Sequence, residues 1–92
     1  MLKLQFTTQF KKDFKQAVKR GLDQSKLEKV IEILSQNKHL PTKFRDHQLI
    51  NCKEYKNFRE CHIEPDCLFI YKISKEVLVL QLIRMGTHND LF

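Results

Sequence analysis

Two acids and an imidazole, Glu60, His62 and Asp66, lie within one stretch of seven residues. The pattern predicts two strands joined by a tight turn at Pro65, because proline has a fixed φ and no N–H and so suits a strand end. Successive strand residues point to opposite faces, so Glu60 and His62 should project together, away from a core that takes Cys61. We interpret the hairpin as a candidate acid–base site.

Further groups that could join this site flank other predicted strands. His47 precedes the hairpin, and His88 follows the last strand, four residues after Arg84. Imidazoles, carboxylates and an arginine, without a Ser-His-Asp pattern, fit cleavage of RNA by its own 2′-hydroxyl. One imidazole can be neutral while another is protonated near neutral pH, and an arginine fork fits two phosphate oxygens. Tyr55 or Phe92 could stack a splayed base. Any one histidine taken alone is more often surface or core filler, so the residues alone predict only a candidate site.

The composition predicts a small soluble globular protein. Its 92 residues make one domain, with 41% hydrophobic and 30% charged residues and only two Gly and two Pro. No stretch approaches the roughly 20 apolar residues of a membrane span. The first residues lack the apolar segment of a signal peptide, so we expect a cytoplasmic protein that does not contact a membrane.

The net charge of +6 indicates a polyanionic partner or an acidic protein partner. Most of the excess positive charge lies upstream of the hairpin. A run of lysines is often no more than a solvated helix face, so the charge alone does not establish nucleic-acid binding.

The three cysteines, Cys52, Cys61 and Cys67, do not form a CxxC pair. An odd number argues against a secreted disulfide framework. Together with His62 they lack the paired short gaps of structural zinc sites. We expect them to be small buried apolar side chains, and we expect no metal and no small-molecule cofactor.

The periodicities predict an α+β fold: an N-terminal strand, two amphipathic helices, then an antiparallel run of three or four strands. The first helix should be capped by Thr7 or Thr8 and stopped by Gly21. The second should be capped by Asp23 or, alternatively, by a capping box. The helices should cover one face of the sheet and leave the other partly open, with Glu60 and His62 on the open side. The remaining segments are a polar turn at 51–57, hairpin strands at about 58–63 and 67–73, and a central strand from Val77 to about Met85.

Four motifs extend over the second half of the chain: Asp46-His47-x-Leu49, Phe58-Arg59-Glu60-x-His62-Ile63-x-Pro65-Asp66, Leu68-x-Ile70-Tyr71-Lys72, and Arg84-x-Gly86-Thr87-His88-x-x-Leu91-Phe92. With these motifs the chain resembles the YafQ-like branch of the RelE/ParE toxin superfamily. The likeness covers nearly the whole chain and is strongest from Asp46 to Phe92.

The resemblance implies a RelE-like fold and a bacterial type II toxin that cleaves mRNA, usually on the ribosome, and is neutralised by a co-encoded antitoxin. It implies proton transfer by His62 and His88, with Asp66 as a base or an orienting group and Arg84 on the scissile phosphate. The remaining assignments are His47 as a substrate contact or part of the acid–base set, Glu60 as a weaker catalytic candidate, and Arg59, Tyr55 and Phe92 as substrate contacts.

Three positions depart from the pattern that we expect of this branch. Cys67 and Tyr55 stand where a Trp is usual, and Phe58 replaces a Tyr. An indole offers far more stacking area than a thiol, so substrate positioning should differ here. Two alternatives therefore stay open: a ParE-like toxin that acts by binding a protein, and a binding module whose catalysis has decayed.

Overall fold

The computed structural model of the chain describes residues 1–49 and 58–92. In chain order the elements are β1 (Lys3–Phe6), α1 (Thr8–Lys19), α2 (Gln24–Ser35), a 3₁₀ turn (Thr42–Phe44), β2 (His47–Gln48), β3 (Arg59–Glu64), β4 (Cys67–Ser74), β5 (Val79–Gly86) and α3 (His88–Leu91). The predicted polar turn at 51–57, with Tyr55 and Cys52, lies outside the described residues. Within the described ranges, no helix has both the length and the apolar character needed to cross a membrane.

Both long helices begin at side-chain caps that the sequence predicted. The Thr7 hydroxyl accepts a hydrogen bond from the backbone N–H of Phe10 at 2.9 Å. Asp23 accepts one from the N–H of Ser25 at 3.0 Å, so the aspartate cap forms rather than the alternative capping box. Gly21, just after α1, has φ +97°, a conformation that favours glycine at a helix end.

The described strands form a five-stranded sheet in the order β1-β5-β4-β3-β2. Strands β2 to β5 pair antiparallel, as predicted, whereas β1 pairs parallel with β5. The apolar strand β5 therefore lies inside the sheet between β1 and β4, which is why it is apolar on both faces. The chain passes from β1 through α1 and α2 before it enters β2, and both helices pack on the sheet.

The two faces of the sheet carry separate apolar clusters. The larger cluster joins α1 and α2 to the helix-facing side chains of β3, β4 and β5, including Cys61, Phe69 and Leu82. The smaller cluster, on the opposite face, consists of Leu68, Ile70 and Leu91 with partly buried neighbours. Thus α1 and α2 cover one face, and the short helix α3 covers part of the other.

Two sequence predictions differ from the structure at the C-terminal end. The last strand begins at Val79, not at Val77, because Val77 and Leu78 belong to the turn after β4 and are 66% and 58% exposed. Leu78 has φ 55°, which interrupts an extended chain. The tail predicted after Gly86 contains the helical turn α3. Apolar composition could not distinguish an exposed turn from a buried strand.

Candidate active site

Four of the predicted site residues fall in two adjacent rows that run across the strands. In the first row, His47, Glu60, Ile70 and Arg84 are successive register partners on β2, β3, β4 and β5. In the second row, His62 pairs with Leu68, which pairs with Gly86, two residues before His88. Because neighbouring strands lie about 4.8 Å apart, the backbones of Glu60 and Arg84 are about 10 Å apart.

Glu60 is a buried carboxylate between two imidazoles. Its side chain is 8% exposed, and its Oε1 lies 3.6 Å from Nε2 of His47 and 3.8 Å from Nε2 of His62. The Glu60 carboxylate can stabilise positive charge on either ring, and a proton carried by an imidazole next to it is well placed for transfer. His47 is half exposed, whereas His62 is mostly covered, so the two rings differ in their access to water.

Arg84 is held by a carboxylate that sequence reasoning did not identify. Its Nε donates to Oδ2 of Asp13 at 3.0 Å and its Nη2 donates to Oδ1 at 3.1 Å. Asp13, on α1, is buried and also accepts hydrogen bonds from the backbone N–H of Met85 and from the Gln9 amide. This bidentate pair fixes the direction of the guanidinium and offsets part of its charge.

Asp66 and Arg84 line the same cavity, of about 540 Å³, between α1, the β3–β4 turn and the start of α3. Asp66 is exposed in that turn. Three other carboxylates line this cavity, those of Asp13, Glu64 and Asp90. Two arginines line it as well, and each is paired with one of these carboxylates, Arg84 with Asp13 and Arg20 with Asp90.

Helix α3 positions His88 and Phe92. The hydroxyl of Thr87 accepts from the backbone N–H of Asp90, and the Asp90 carboxylate accepts from the N–H of Thr87, which is a capping box. Arg20 of α1 donates to Asp90 at 2.7 Å, and this contact holds the pKa of Asp90 at about 2. The rings of His88 and Phe92 lie 5.1 Å apart, and Phe92 is 46% exposed.

Arg59, predicted as a substrate contact, is bound within the protein. Its Nε and Nη2 donate to the two carboxylate oxygens of Asp46 at 3.3 and 3.1 Å. The hydroxyl of Tyr71 also donates to Asp46. The Arg59 side chain nevertheless remains 40% exposed. Sequence analysis did not identify Asp13 and gave Tyr71 no individual role, because each acts through a partner far along the chain.

A basic groove adjoins His62. It has a volume of about 440 Å³ and lies between α2, the 3₁₀ turn and the outer part of β3. Four cationic side chains line it, against one carboxylate, Glu64. These cations are Lys26, Lys29, Lys43 and Arg45. A groove of this charge suits a polyanion such as an RNA backbone.

The described cysteines are packed within the protein. Cys61 is fully buried, and burial raises the pKa of its thiol. Burial, followed by the charge of Glu64, raises the pKa of Cys67 to about 11. Across residues 1–49 and 58–92, no three His, Cys, Asp or Glu side chains are arranged to hold a metal ion.

The fold thus brings together His47, Glu60 and His62, and separately Asp66 and Arg84, while His88 and Phe92 approach from α3. The apolar side chains of Leu68, Ile70 and Leu91 lie between these groups on the same face. Tyr55 lies outside the described residues. The grouping follows from register, which single-sequence patterns do not specify.

Comparisons with known proteins agree with this fold. A family model described as the bacterial toxin of a type II toxin–antitoxin system, YafQ, matches residues 2–92. The mRNA interferase toxin YafQ of Escherichia coli BL21-DE3 is 38% identical over 90 residues, which span 97% of this chain and 94% of that protein.

Solved structures give the same result. A metal-bound toxin from Helicobacter pylori superposes with a TM-score of 0.91 at 41% identity, with all of both chains covered. The toxin in the Escherichia coli DinJ-YafQ complex gives 0.87 at 36% identity, covering 100% of this chain and 99% of that one. The chain therefore belongs to the YafQ family of bacterial type II toxin–antitoxin toxins.

Proposed function

We propose that this chain, as one domain of residues 1–92, is an endoribonuclease that cleaves mRNA and thereby inhibits translation in the cytoplasm. The observation that best supports this activity is the buried carboxylate of Glu60 between the imidazoles of His47 and His62, on the sheet face that α1 and α2 leave open. Curated relatives are named mRNA interferases, which supports the same reaction class.

The proposed reaction is attack of an RNA 2′-hydroxyl on the neighbouring phosphorus. A base takes the 2′-hydroxyl proton as the new P–O bond forms, and an acid protonates the 5′-oxygen as its bond to phosphorus breaks. The products are a 2′,3′-cyclic phosphate and a 5′-hydroxyl. We assign the two proton transfers to His62, which is in register with Leu68 and Gly86, and to His88, two residues after Gly86. Glu60 supports positive charge on the neighbouring rings, and Asp66 is an orienting group or a base.

Arg84 is assigned to the scissile phosphate, at the end of the row that contains Glu60. Its bidentate bond to Asp13 directs the guanidinium and offsets part of the positive charge that acts on the phosphate. The side chains described here supply the acid, the base and the cation. We therefore assign no step to a metal ion.

The RNA strand is proposed to approach His62 along the basic groove. Lys29 on α2 and Lys43 in the 3₁₀ turn both line this groove and can each bind a phosphate. Phe92 lies beside His88, is half exposed and can stack a base. The same positive surfaces suit ribosomal RNA, so we propose that cleavage takes place on the ribosome.

We also propose a cognate antitoxin protein as the inhibitory partner, since a YafQ toxin has been solved in complex with DinJ. A mainly apolar groove of about 510 Å³ lies between α1 and α2. Phe6 lines it and is 47% exposed, and Lys11 and Lys15 stand beside it. This chemistry fits a segment of the antitoxin that combines apolar and acidic side chains.

The decisive experiment is incubation of the purified chain with RNA, with and without ribosomes, and mapping of the cut ends. We expect ends bearing a cyclic phosphate, and we expect His62→Ala and His88→Ala each to lower the cleavage rate by about 10²-fold or more. The matched control is His39→Ala, which makes the same change at an exposed histidine after α2 and should cleave normally. Reversing charge with Lys29→Glu should weaken RNA binding and its salt dependence, whereas Lys75→Glu, in the turn after β4, should not.

The outcome also separates the alternatives. Cleavage that survives in both histidine variants would remove the acid–base assignment, and loss of cleavage in EDTA would show that a metal takes part. No cut RNA under either condition, with antitoxin binding intact, would favour a binding module or a toxin that acts on a protein.

A further inference from the structure

Asp46 is anchored to two strands by donors that lie far from it in the sequence. Its side chain is 16% exposed and accepts from Tyr71 on β4 and from Arg59 on β3. Burial, and then the bond to Asp46, raises the pKa of Tyr71, so its hydroxyl keeps the donated proton at neutral pH. We call these three residues the Asp46 clamp.

The clamp lies next to His47 on β2, one of the two imidazoles beside Glu60. Arg45, just before Asp46, has left-handed backbone angles, φ 50° and ψ 43°. Its carbonyl oxygen lies 2.8 Å from Nδ1 of His47. A carbonyl can only accept, so Nδ1 must carry a hydrogen. The atom of His47 that faces Glu60 is therefore Nε2, at 3.6 Å, and it is the one available to exchange a proton.

His47 has little other support among the described contacts. Strand β2 has two residues, with two register pairs to β3, and the His47 side chain is about half exposed. Short exposed strands hold side chains weakly. A contact other than the backbone pairing of β2 with β3 must therefore keep the Arg45 carbonyl directed at the His47 ring.

We propose that Asp46 is a positioning residue, which Tyr71 and Arg59 hold in place so that His47 keeps its Nδ1–H tautomer and presents Nε2 to Glu60. This assigns Arg59 to the clamp rather than to substrate binding. The effect on RNA cleavage rests on the proposed function. The tautomer, however, is a property of the protein alone and can be measured without RNA.

The test is long-range proton–nitrogen NMR of the His47 ring in the full chain at a pH where the ring is neutral. The unmodified protein should show the Nδ1–H pattern. Asp46→Ala should replace it with an averaged pattern, because the ring is then released to water. Asp23→Ala makes the same chemical change at the cap of α2 and should leave the His47 pattern unchanged. An Nε2–H pattern in the unmodified protein, or no change in Asp46→Ala, would overturn the proposal.

Tyr71→Phe is the second variant, since it keeps the buried ring and removes one donor to Asp46. If Asp46→Ala does not fold, Tyr71→Phe tests the clamp in its place. It should change the NMR pattern of the His47 ring in the same direction by a smaller amount. In RNA cleavage, Tyr71→Phe should lower kcat by about tenfold with little change in KM, and should add no further loss in a His47→Ala background. Additive losses would indicate a purely structural role. If the unmodified chain cleaves no RNA, the proposed function fails while the NMR result still decides the clamp.

Discussion

Asp13 shows how a single residue outside the recognised motifs can control one inside them. It is buried on α1 and binds Arg84 through both carboxylate oxygens while also accepting the backbone N–H of Met85. One carboxylate thus fixes the direction of the candidate phosphate-binding arginine and joins α1 to β5. Removing its charge should affect the stability of the whole domain.

Asp13→Asn is expected to lower the free energy of unfolding by about 2–4 kcal/mol, because the amide cannot accept both guanidinium bonds and removes the negative charge that Asp13 places beside Arg84. Urea denaturation measures the change. The exposed pair Lys26–Glu64, at 3.5 Å, provides the control: Lys26→Ala should cost less than about 1 kcal/mol. A loss in Asp13→Asn no larger than that of Lys26→Ala would contradict the prediction.

Helix α3 depends on a close approach at the end of β5. Gly86 has φ +158°, and a β-carbon there would lie 3.0 Å from Oδ2 of Asp90. That oxygen accepts from both Thr87 and Arg20, so it has little room to move. The glycine is therefore needed for the capping box that positions His88.

Gly86→Ala is expected to displace Asp90, fray α3 and lower RNA cleavage by about tenfold, with a stability loss of about 1–3 kcal/mol. Gly21→Ala is the matched control, because Gly21 also has a positive φ but a β-carbon there would meet nothing within 4 Å. It should lose stability from backbone strain alone and still cleave RNA. Equal cleavage by the two variants would show that α3 does not position His88.

At the scale of the whole molecule, the shifted ionisable groups set the limits of pH stability. Hydrogen bonds from Ser25 lower the pKa of Asp23, and Arg20 and Thr87 lower that of Asp90 to about 2. Burial raises the pKa of Cys67 to about 11 and also raises that of Tyr71. The two aspartates contribute stability above their ordinary pKa of 3.8, and this contribution is lost as the pH falls toward 2.

The Cys67 thiol and the Tyr71 phenol instead limit stability at high pH. They ionise first in the unfolded chain, with ordinary pKa values of 9.0 and 10.0, so their contribution is complete below about pH 9 and is lost as the pH rises. The urea midpoint should therefore fall on both sides of the range from about pH 4 to 9. Combining Cys67→Ser with Tyr71→Phe should reduce the alkaline fall to the part that the buried Cys61 thiol causes, and leave the acid fall in place. An unchanged alkaline fall in that variant would contradict this assignment.

Local patterns predicted much of the fold. The alternation of residues around Cys61, the caps at Thr7 and Asp23, and the glycine stop after α1 all depend on neighbours within a few residues, and the structure confirms them. The α+β class, with Glu60 and His62 on the face opposite Cys61, followed from the same periodicities.

By itself, the sequence determined which residue types were present for acid–base chemistry, and that Glu60 and His62 share a face, because side-chain direction in a strand is a local property. Only the tertiary structure decided that Arg84 binds Asp13, 71 residues away, and that Asp46 meets Tyr71, 25 residues away. It also decided that Glu60 and Arg84 share one row of the sheet. Register and long-range pairing arise when the strands and helices pack together, and no local pattern specifies that packing.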